Sequence, residues 1–244
     1  HALLAGLSGV TPITRFDASG FPVRIAAEVK AFDPRHAIED RRLLKFANRS
    51  HTFALAAAEE AMRDAGIRPE RGDATRWGCV VGSGKRGMEF QELGEVHRHC
   101  APDGHFRPDR LLTDGFGTDP LDFFRNQACG GLALLLRRFG IRGYANSVHT
   151  ACASGSQAVG TAMKLIRRGT ADYVLAGGFD SMINPVGLAA FCLLGALSPD
   201  NETPEHASRP FDATRNGFVI GEGAGVLVLE AWEAARRRGA RIYA

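Results

Sequence analysis

Cys152 is the residue best suited to chemistry in this sequence, because it lies at the boundary between two local patterns. It belongs to the stretch HTACASGSQAVG, residues 149–160, which follows a short strand-like run and opens a run of small, uncharged residues. A thiolate is a nucleophile, and the free N–H groups of a helix N-terminus stabilise both a thiolate and an oxyanion. The position predicts a nucleophilic cysteine, but it equally suits a small buried hydrophobic residue, which is the usual role of a free cysteine.

The element that must position Cys152 is a helix. No charged side chain occurs from residue 151 to residue 163, and most side chains there are small. We therefore expect a helix that begins near Cys152 with its buried end first and that packs closely on every side. Lys164 and the two arginines that follow favour the C-terminal turn, and Gly169 supplies a left-handed cap.

Strand-like and helix-like segments alternate along the rest of the chain. Apolar residues at helical spacing predict helices over 51–67, with Gly66 near its end, and over 120–140, which ends at Gly140. Short runs bounded by glycine predict strands over 77–84, 144–148, 171–178 and 217–230. The stretch 98–120 is rich in Gly, Pro, Asp and His and predicts an irregular excursion. This alternation indicates an α/β fold with a mainly buried sheet.

Composition excludes several classes of protein. The chain has 244 residues, of which 45% are hydrophobic, and its net charge of +3 is too small to favour a nucleic-acid partner. It contains neither a long apolar run that could span a membrane nor a signal-peptide pattern, so the cytoplasm is the expected compartment. The five cysteines are too widely spaced for a disulfide framework or a zinc ribbon, and all except Cys152 are interpreted as structural.

Several motifs, in order along the chain, resemble those of the β-ketoacyl synthases, the condensing enzymes of fatty acid and polyketide synthesis. TACASG (150–155) resembles the nucleophile motif, ADYVLAGGFDSM (171–182) the strand and turn that follow it, and the stretch 196–230 the segment that ends in the glycine-rich strand. The resemblance continues more weakly through VVGSGKRG (80–87) back to residue 2. It implies a thiolase-like fold, in which a mixed sheet carries helices on both faces and the nucleophile helix is buried.

The resemblance also implies how much of an enzyme this chain contains. We interpret residues 1–244 as a β-ketoacyl synthase N-terminal domain, truncated at both ends and without its C-terminal half. That half brings two catalytic histidines and a lysine in the family. The chain by itself is therefore not expected to carry out a condensation.

By the same resemblance, Cys152 accepts an acyl group from a carrier-protein or CoA thioester, with its backbone N–H in the oxyanion hole. The acyl-enzyme then reacts with the enolate that forms when malonyl-carrier protein loses carbon dioxide. Arg41, Arg42 and Lys45 are candidate docking residues for the acidic acyl carrier protein, although such clusters are also common on solvated surfaces. The resemblance implies no cofactor and no metal, and it implies a homodimer in the complete protein.

Two alternatives remain open from the sequence. A non-catalytic partner subunit of the chain-length-factor type would keep the fold and the dimer interface, but such subunits usually lack the cysteine. A thiolase-type acyltransferase would transfer an acyl group without decarboxylation, although the SRPFD (208–212) and GEGAG (221–225) motifs favour the decarboxylating synthase. His149 stands where the family has a small or acidic residue, and it is interpreted as a structural or pocket-lining residue, with tuning of the thiol as the alternative.

Three weaker motifs are interpreted as structural. GSGKRG (82–87) matches the dinucleotide-binding pattern but lacks the following strand and acidic residue, so it predicts a backbone turn. HRHC (97–100) together with His105 has the residue types of a metal site without the ligand spacing, which favours a solvated loop. The glycines of GEGAG allow a close backbone approach, and Glu222 among them is either a paired buried acid or a structural hydrogen-bonding group.

Overall fold

The computed structural model describes residues 4–84, 90–113 and 120–244, and the chain forms two compact units. The smaller unit contains residues 1–32 and 181–222, and the larger unit contains residues 33–180 and 223–244. The strands are β1 (Thr11–Pro12), β2 (Ile25–Ala26), β3 (Trp77–Ser83), β4 (Ala145–Val148), β5 (Tyr173–Ser181) and β6 (Glu222–Glu230). The helices are α1 (Pro34–Ala37), α2 (Arg49–Ala65), α3 (Phe90–Cys100), α4 (Arg110–Thr113), α5 (Pro120–Arg125), α6 (Gly130–Phe139), α7 (Ser154–Arg167), α8 (Pro185–Leu193), α9 (Pro204–Ala207) and α10 (Trp232–Arg237).

The larger unit is built around a four-stranded sheet in the order β4-β3-β5-β6. β3 pairs in parallel with both β4 and β5, and Val80 lies opposite Asn146 on one side and Ala176 on the other. Parallel neighbours require crossover connections, which the intervening helices supply. The predicted α/β fold is confirmed.

Alternate residues of β3 face two different helical layers, and both faces of the strand are therefore buried. Val80 belongs to a hydrophobic cluster with Ala158 and Ala162 of α7. Cys79 and Val81 point the other way, into a larger cluster that includes buried side chains of α2 and α6. Side chains alternate across a strand with a period of two, so a strand between two helical layers is apolar throughout.

The predicted helix over 51–67 is confirmed as α2, and it ends at Gly66, which has a φ of +65°. Its N-terminus is closed by a capping box, in which Asn48 accepts from the His51 N–H and the His51 ring accepts from the Asn48 N–H. The predicted strands over 77–84 and 144–148 are β3 and β4. Gly140, at the end of α6, has the same left-handed conformation as Gly66.

The prediction of one continuous helix over 120–140 is wrong. The structure has two helices, α5 and α6, separated by a turn in which the Gly130 N–H donates to the Gln127 carbonyl. The interruption brings Gly130 and Gly131 against the buried ring of His51, where a Cβ atom on Gly130 would lie 2.8 Å from a ring carbon. Part of the predicted irregular stretch 98–120 is also helical, in α3 and α4, and residues 114–119 lie outside the described residues.

The expectation that the helix after Cys152 packs on every side is also wrong. Ala158 and Ala162 of α7 are fully buried against β3, but Ser156, Gln157 and Met163 are exposed. The reason is that α7 buries only the stripe that faces the sheet. Small uncharged residues suit close packing, but they do not require it on each face.

The smaller unit has its own core of buried apolar residues from both of its segments, including Ile25, Ile183 and Ile220. β1 and β2 pair in an antiparallel ladder. Glu222 binds in this unit through both carboxylate oxygens: Oε1 accepts from the Val29 N–H at 3.0 Å and Oε2 from the Ser181 hydroxyl at 2.7 Å. Of the two predicted roles for Glu222, the structural hydrogen-bonding role fits these contacts.

Candidate functional site

Cys152 lies on a sharp turn between the end of β4 and the start of α7. The turn is a short 3-10 helix, Ala151–Ala153, and Ala151 has a φ of +51°. For a residue with a Cβ atom this left-handed conformation costs about 1–2 kcal/mol. A strained strand-to-helix turn of this kind holds a nucleophile away from the sheet with its backbone N–H at the helix N-terminus. The predicted strand-to-helix boundary at Cys152 is therefore confirmed.

The side chain of Ser154 holds this turn together. The Ser154 hydroxyl donates to the Ala151 carbonyl at 2.7 Å and accepts from the Thr150 N–H at 2.8 Å. Ser154 is 2% exposed, so water does not compete strongly for these bonds. The Thr150 hydroxyl adds a bond to the Gln157 side chain at 2.8 Å, one turn into α7. We call this set of contacts around Ala151 the Ser154 staple.

Glycine at the sheet surface allows α7 to start where it does. A Cβ atom on Gly82 would lie 2.3 Å from the Ser154 carbonyl carbon and 2.6 Å from the Gly155 nitrogen. A Cβ atom on Gly178 of the neighbouring strand would lie 3.1 Å from the Gly155 Cα. The backbone of the α7 N-terminus therefore rests directly on β3 and β5, and the first glycine of GSGKRG has a packing role. Residues 85–87 of that motif lie outside the described residues.

A cavity of about 350 Å³ opens beside Cys152, within the volume range of small-molecule sites. It is lined by the ends of β3 and β5, by the turn at Cys152 and by residues 223–225 of β6. Asp180 is the one acidic side chain among the described lining residues, and its Oδ2 accepts from the Gly84 N–H at 3.0 Å. That bond holds the chain at the end of β3 against the end of β5.

Cys152 is exposed, which contradicts the expectation of a buried nucleophile end. The helix start is supported from beneath by the sheet glycines, but residues 151–153 have no covering element among the described residues of this chain. The thiol is accessible to a thioester from solution. The local backbone places the thiol at a helix N-terminus, in which the Ala153 and Ser154 N–H groups already donate to the Thr150 and Ala151 carbonyls.

The two ring nitrogens of His149 contact Ser83 and Ser147. Its Nδ1 lies 3.2 Å from the Ser83 carbonyl oxygen and its Nε2 lies 2.8 Å from the Ser147 hydroxyl. A carbonyl can only accept, so Nδ1 carries a proton, and in the neutral ring Nε2 accepts from Ser147. Both ring nitrogens therefore serve contacts between the ends of β3 and β4. These bonds agree with the structural interpretation of His149.

The three candidate docking residues lie together on a 3-10 turn, Arg41–Phe46, and all three are exposed. Arg42 forms a two-bond ion pair with Asp40, which lowers the pKa of that carboxyl to about 2. Lys45 holds its ammonium 4.7 Å from the Phe46 ring centroid. Arg41 forms no ion pair within the described part of the chain. None of the three lines the cavity at Cys152.

The other cysteines differ from Cys152 in exposure or in surroundings. Cys79 and Cys100 are buried, and burial raises the pKa of the Cys79 thiol to about 12. Cys192 is half-buried. Cys129 is exposed and precedes α6, so it resembles Cys152 in position but lies outside the cavity. It is the natural control for any test of thiol reactivity.

The histidine motif is not in a loop. Residues 97–100 form the last turn of α3, where His99 Nε2 lies 3.3 Å from the Arg110 carbonyl, so the predicted solvated loop is wrong there. His105 lies beyond α3 and is exposed. Among residues 4–84, 90–113 and 120–244 no group of His, Cys, Asp and Glu side chains could hold a metal ion. Within the same residues no helix is long and apolar enough to cross a membrane.

Asp180 and Ser154 belong to the site, although no sequence motif marks them as functional residues. Asp180 directly follows the strand-like run ADYVLAGG, and an acid at the carboxyl end of a predicted strand is a signal that could have found it. Ser154 stands among small residues and gives no such signal. Its role depends on a fold that turns the backbone of Thr150 and Ala151 back over its hydroxyl.

The sequence of this chain is similar to those of known condensing enzymes. The sequence profile of the family described as "Beta-ketoacyl synthase, N-terminal domain" matches residues 1–235. A 3-oxoacyl-[acyl-carrier-protein] synthase 2 of Coxiella burnetii (strain RSA 493 / Nine Mile phase I) is 39% identical over 248 residues. The alignment covers 100% of this chain and 56% of that protein, so the chain spans about half the length of the curated relatives it matches.

Two solved structures have the same fold as this chain. A β-ketoacyl synthase from Burkholderia phymatum STM815 is 31% identical with a TM-score of 0.81, covering 99% of this chain and 56% of its own. A type II polyketide acyl-carrier protein has been solved in complex with its ketosynthase bound to the hexaketide. That match is 30% identical with a TM-score of 0.76 and covers 97% of this chain and 54% of the other. The thiolase-like fold that the motifs implied is confirmed.

Proposed function

The chain belongs to the β-ketoacyl synthase family, and from that premise we propose that it supplies the acyl-accepting half of a decarboxylative condensation in fatty acid or polyketide synthesis. The observation that carries the proposal is the position of Cys152, exposed on a strained turn at the N-terminus of α7 and lining a cavity of about 350 Å³. A non-catalytic subunit has no need for an accessible thiol on a turn of this kind.

The first step is an exchange of thioesters at Cys152. The thiolate attacks the carbonyl carbon of an acyl thioester, the new bond joins Cys152 Sγ to that carbon, and the bond to the carrier or CoA sulfur breaks. The leaving thiolate takes up a proton from solvent. The carbonyl oxygen carries negative charge in the tetrahedral intermediate, and the backbone N–H of Cys152 is the group we assign to stabilise it.

In the second step, the acyl group on Cys152 is attacked by the enolate that malonyl-carrier protein forms as it loses carbon dioxide. The new carbon–carbon bond joins the enolate carbon to the acyl carbon, and Cys152 leaves as the thiolate. Stabilising the enolate requires further donors, and among the described lining residues of this cavity the ionisable groups are Cys152 and Asp180. The proposal therefore assigns the acyl-transfer step, and not the decarboxylation, to the residues described here.

Intact-mass analysis after incubation with a long-chain acyl thioester tests the acyl-transfer step. We expect one adduct with the mass of the acyl group, lost in Cys152→Ala and retained in Cys129→Ala, since Cys129 is an equally exposed thiol at another helix start. Cerulenin, which modifies the nucleophile of these synthases, is expected to label the same residue. An adduct that persists in Cys152→Ala, or a folded chain that accepts no acyl group, would count against the proposal and favour the chain-length-factor alternative.

We further propose that Arg41, Arg42 and Lys45 receive an acidic acyl carrier protein. Arg41 carries the argument, because its charge is unpaired within the described residues, whereas Asp40 already neutralises Arg42. Arg41→Glu is expected to raise the KM for a carrier-bound acyl thioester about fivefold, the equivalent of ~1 kcal/mol. The KM for a small neutral thioester is expected to stay unchanged.

Arg137→Glu is the matched control for the docking surface, because Arg137 is an exposed arginine at the far end of α6. It makes the same change in net charge at a different place. Equal effects of Arg41→Glu and Arg137→Glu, or equal effects on both thioesters, would remove the docking assignment.

We also propose that the complete protein is a homodimer that pairs through β4. β4 is an edge strand of the four-stranded sheet, and an edge with unpaired backbone groups is a template for another strand. Ser147→Pro removes one N–H from that edge and is expected to shift the protein to the monomer in light scattering. An unchanged dimer in that variant, or a monomeric parent protein, would contradict the assignment.

The compartment we propose is the cytoplasm, where free thiols persist, and the five cysteines are unpaired in this structure. Cell fractionation with an antibody to the chain tests this. Recovery of the chain in a secreted or periplasmic fraction would overturn it.

A further inference from the structure

The hydroxyl of Ser154 is buried beneath the turn that carries Cys152. It donates to the Ala151 carbonyl, which belongs to the peptide that follows the left-handed residue, and it accepts from the Thr150 N–H, which lies one residue before Ala151. Ser154 is the first residue of α7, a position at which a serine hydroxyl commonly bonds to nearby backbone groups. Here one hydroxyl acts as donor and acceptor to two groups, and both belong to the turn.

The backbone of Ala151, which these hydrogen bonds surround, has an unfavourable left-handed conformation. Ala151 is one of the few residues other than glycine with a positive φ among the described residues, and the other two, Ala31 and Phe211, lie outside the cavity at Cys152. An alanine returns to a right-handed or extended conformation unless neighbouring contacts hold it. If it did so, the peptide between Ala151 and Cys152 would rotate, and both the thiol and the Cys152 N–H would point elsewhere.

We propose that Ser154 is a positioning residue for acyl transfer, which holds Ala151 in its left-handed conformation and thereby keeps the Cys152 thiol and N–H aimed at the cavity. This inference rests on the proposed function of Cys152. Ser154 borders the cavity but is only 2% exposed, and its hydroxyl is bonded to two backbone groups, so the residue is expected to change the rate of the acyl-transfer step and not the binding of the thioester.

The test is a double-mutant cycle on the rate of acyl transfer to Cys152, measured by intact mass at several thioester concentrations. Ser154→Ala is expected to lower the saturating rate about tenfold, which corresponds to ~1.4 kcal/mol, with the KM unchanged within a factor of two. Ala151→Gly makes the left-handed conformation accessible without the staple. The double variant is therefore expected to be at least threefold faster than Ser154→Ala.

Ser156→Ala is the matched control, since Ser156 is an exposed serine on the same helix and outside the cavity. It is expected to transfer at the parent rate. If Ser154 only satisfied a buried donor, the glycine would not rescue it, and the two substitutions would act independently. A rate for Ser154→Ala within twofold of the parent, or a double variant no faster than Ser154→Ala, would overturn the proposal.

Two further outcomes are also decisive. If Ser154→Ala does not fold, folding of the double variant supports the proposal, and its failure to fold overturns it. If the parent chain accepts no acyl group, the proposed function fails and the staple is judged by amide hydrogen exchange at residues 150–153. Exchange at least tenfold faster in Ser154→Ala than in Ser156→Ala supports the staple, and equal exchange overturns it.

Discussion

Gly82→Ala tests whether the close approach of the α7 N-terminus to β3 requires a residue without a side chain at position 82. The added Cβ atom would lie 2.3 Å from the Ser154 carbonyl carbon, 2.5 Å from its oxygen and 2.6 Å from the Gly155 nitrogen. All three atoms belong to the backbone, so no side chain can rotate away. Ordinary contact begins near 3.4 Å, and the start of α7 must therefore move by roughly 1 Å.

A shift of this size has two consequences. Overpacking of a tight interior site costs typically 1–3 kcal/mol, and we expect Gly82→Ala to lower the free energy of unfolding by about 2 kcal/mol. The Ser154 staple moves with the helix, because the displaced atoms are those of Ser154 and Gly155. Acyl transfer to Cys152 is therefore expected to fall by more than tenfold even where the variant remains folded.

Urea denaturation and the acyl-transfer assay measure these two effects separately. Gly160→Ala is the control, because Gly160 lies in the same α7 helix and a Cβ atom there meets nothing within 4 Å. Replacing it is expected to stabilise the protein by roughly 0.5 kcal/mol through helix propensity, without affecting transfer. A Gly82→Ala protein with parent stability and parent transfer rate would refute the close approach of α7 to β3.

Three further outcomes follow from buried and paired charges. Arg138→Met strands the buried Glu59 carboxylate and is expected to lower the free energy of unfolding by about 3 kcal/mol at pH 7 in urea denaturation. Burial raises the pKa of the Glu59 carboxyl, and replacing Arg138 removes an interaction that lowers it; the loss of stability should therefore shrink as the pH falls and the carboxyl becomes protonated, and a loss that stays constant with pH would contradict the assignment. Cys79, whose pKa burial raises to about 12, is expected to resist alkylation at pH 8 in peptide mapping until the protein unfolds, and early labelling would refute its burial. Arg42→Gln is expected to move the pKa of Asp40 from about 2 toward its usual 3.8 in an NMR titration, and no movement would exclude the ion pair.

The sequence by itself determined the element order and the family. Periodicity locates α2, β3 and β4, the left-handed glycines at 66 and 140 end their helices, and three ordered motifs identify the condensing enzymes. These features depend on interactions within a few residues, or on residue types that the chemistry itself demands. Such local requirements can therefore be recognised in the amino-acid sequence.

The sequence predicted helix boundaries and buried helix faces poorly where they depend on residues that are distant in the chain. The break between α5 and α6 depends on the approach of Gly130 to the ring of His51, which is distant in the chain. The composition of α7 suggested burial on every side, but the fold covers only the face toward β3. A pattern of small residues indicates that a helix can pack closely against its neighbours. The tertiary structure determines which of its faces is buried.

The tertiary structure alone decided the geometry around Cys152. The motif names the cysteine, but the φ of Ala151, the double hydrogen bond of Ser154 and the bare surface at Gly82 arise only when β3, β4 and α7 are assembled. A left-handed alanine is unfavourable in isolation, so no local preference predicts it. The left-handed conformation of Ala151 persists because contacts from several elements together outweigh its free-energy cost, and these contacts form only in the complete fold.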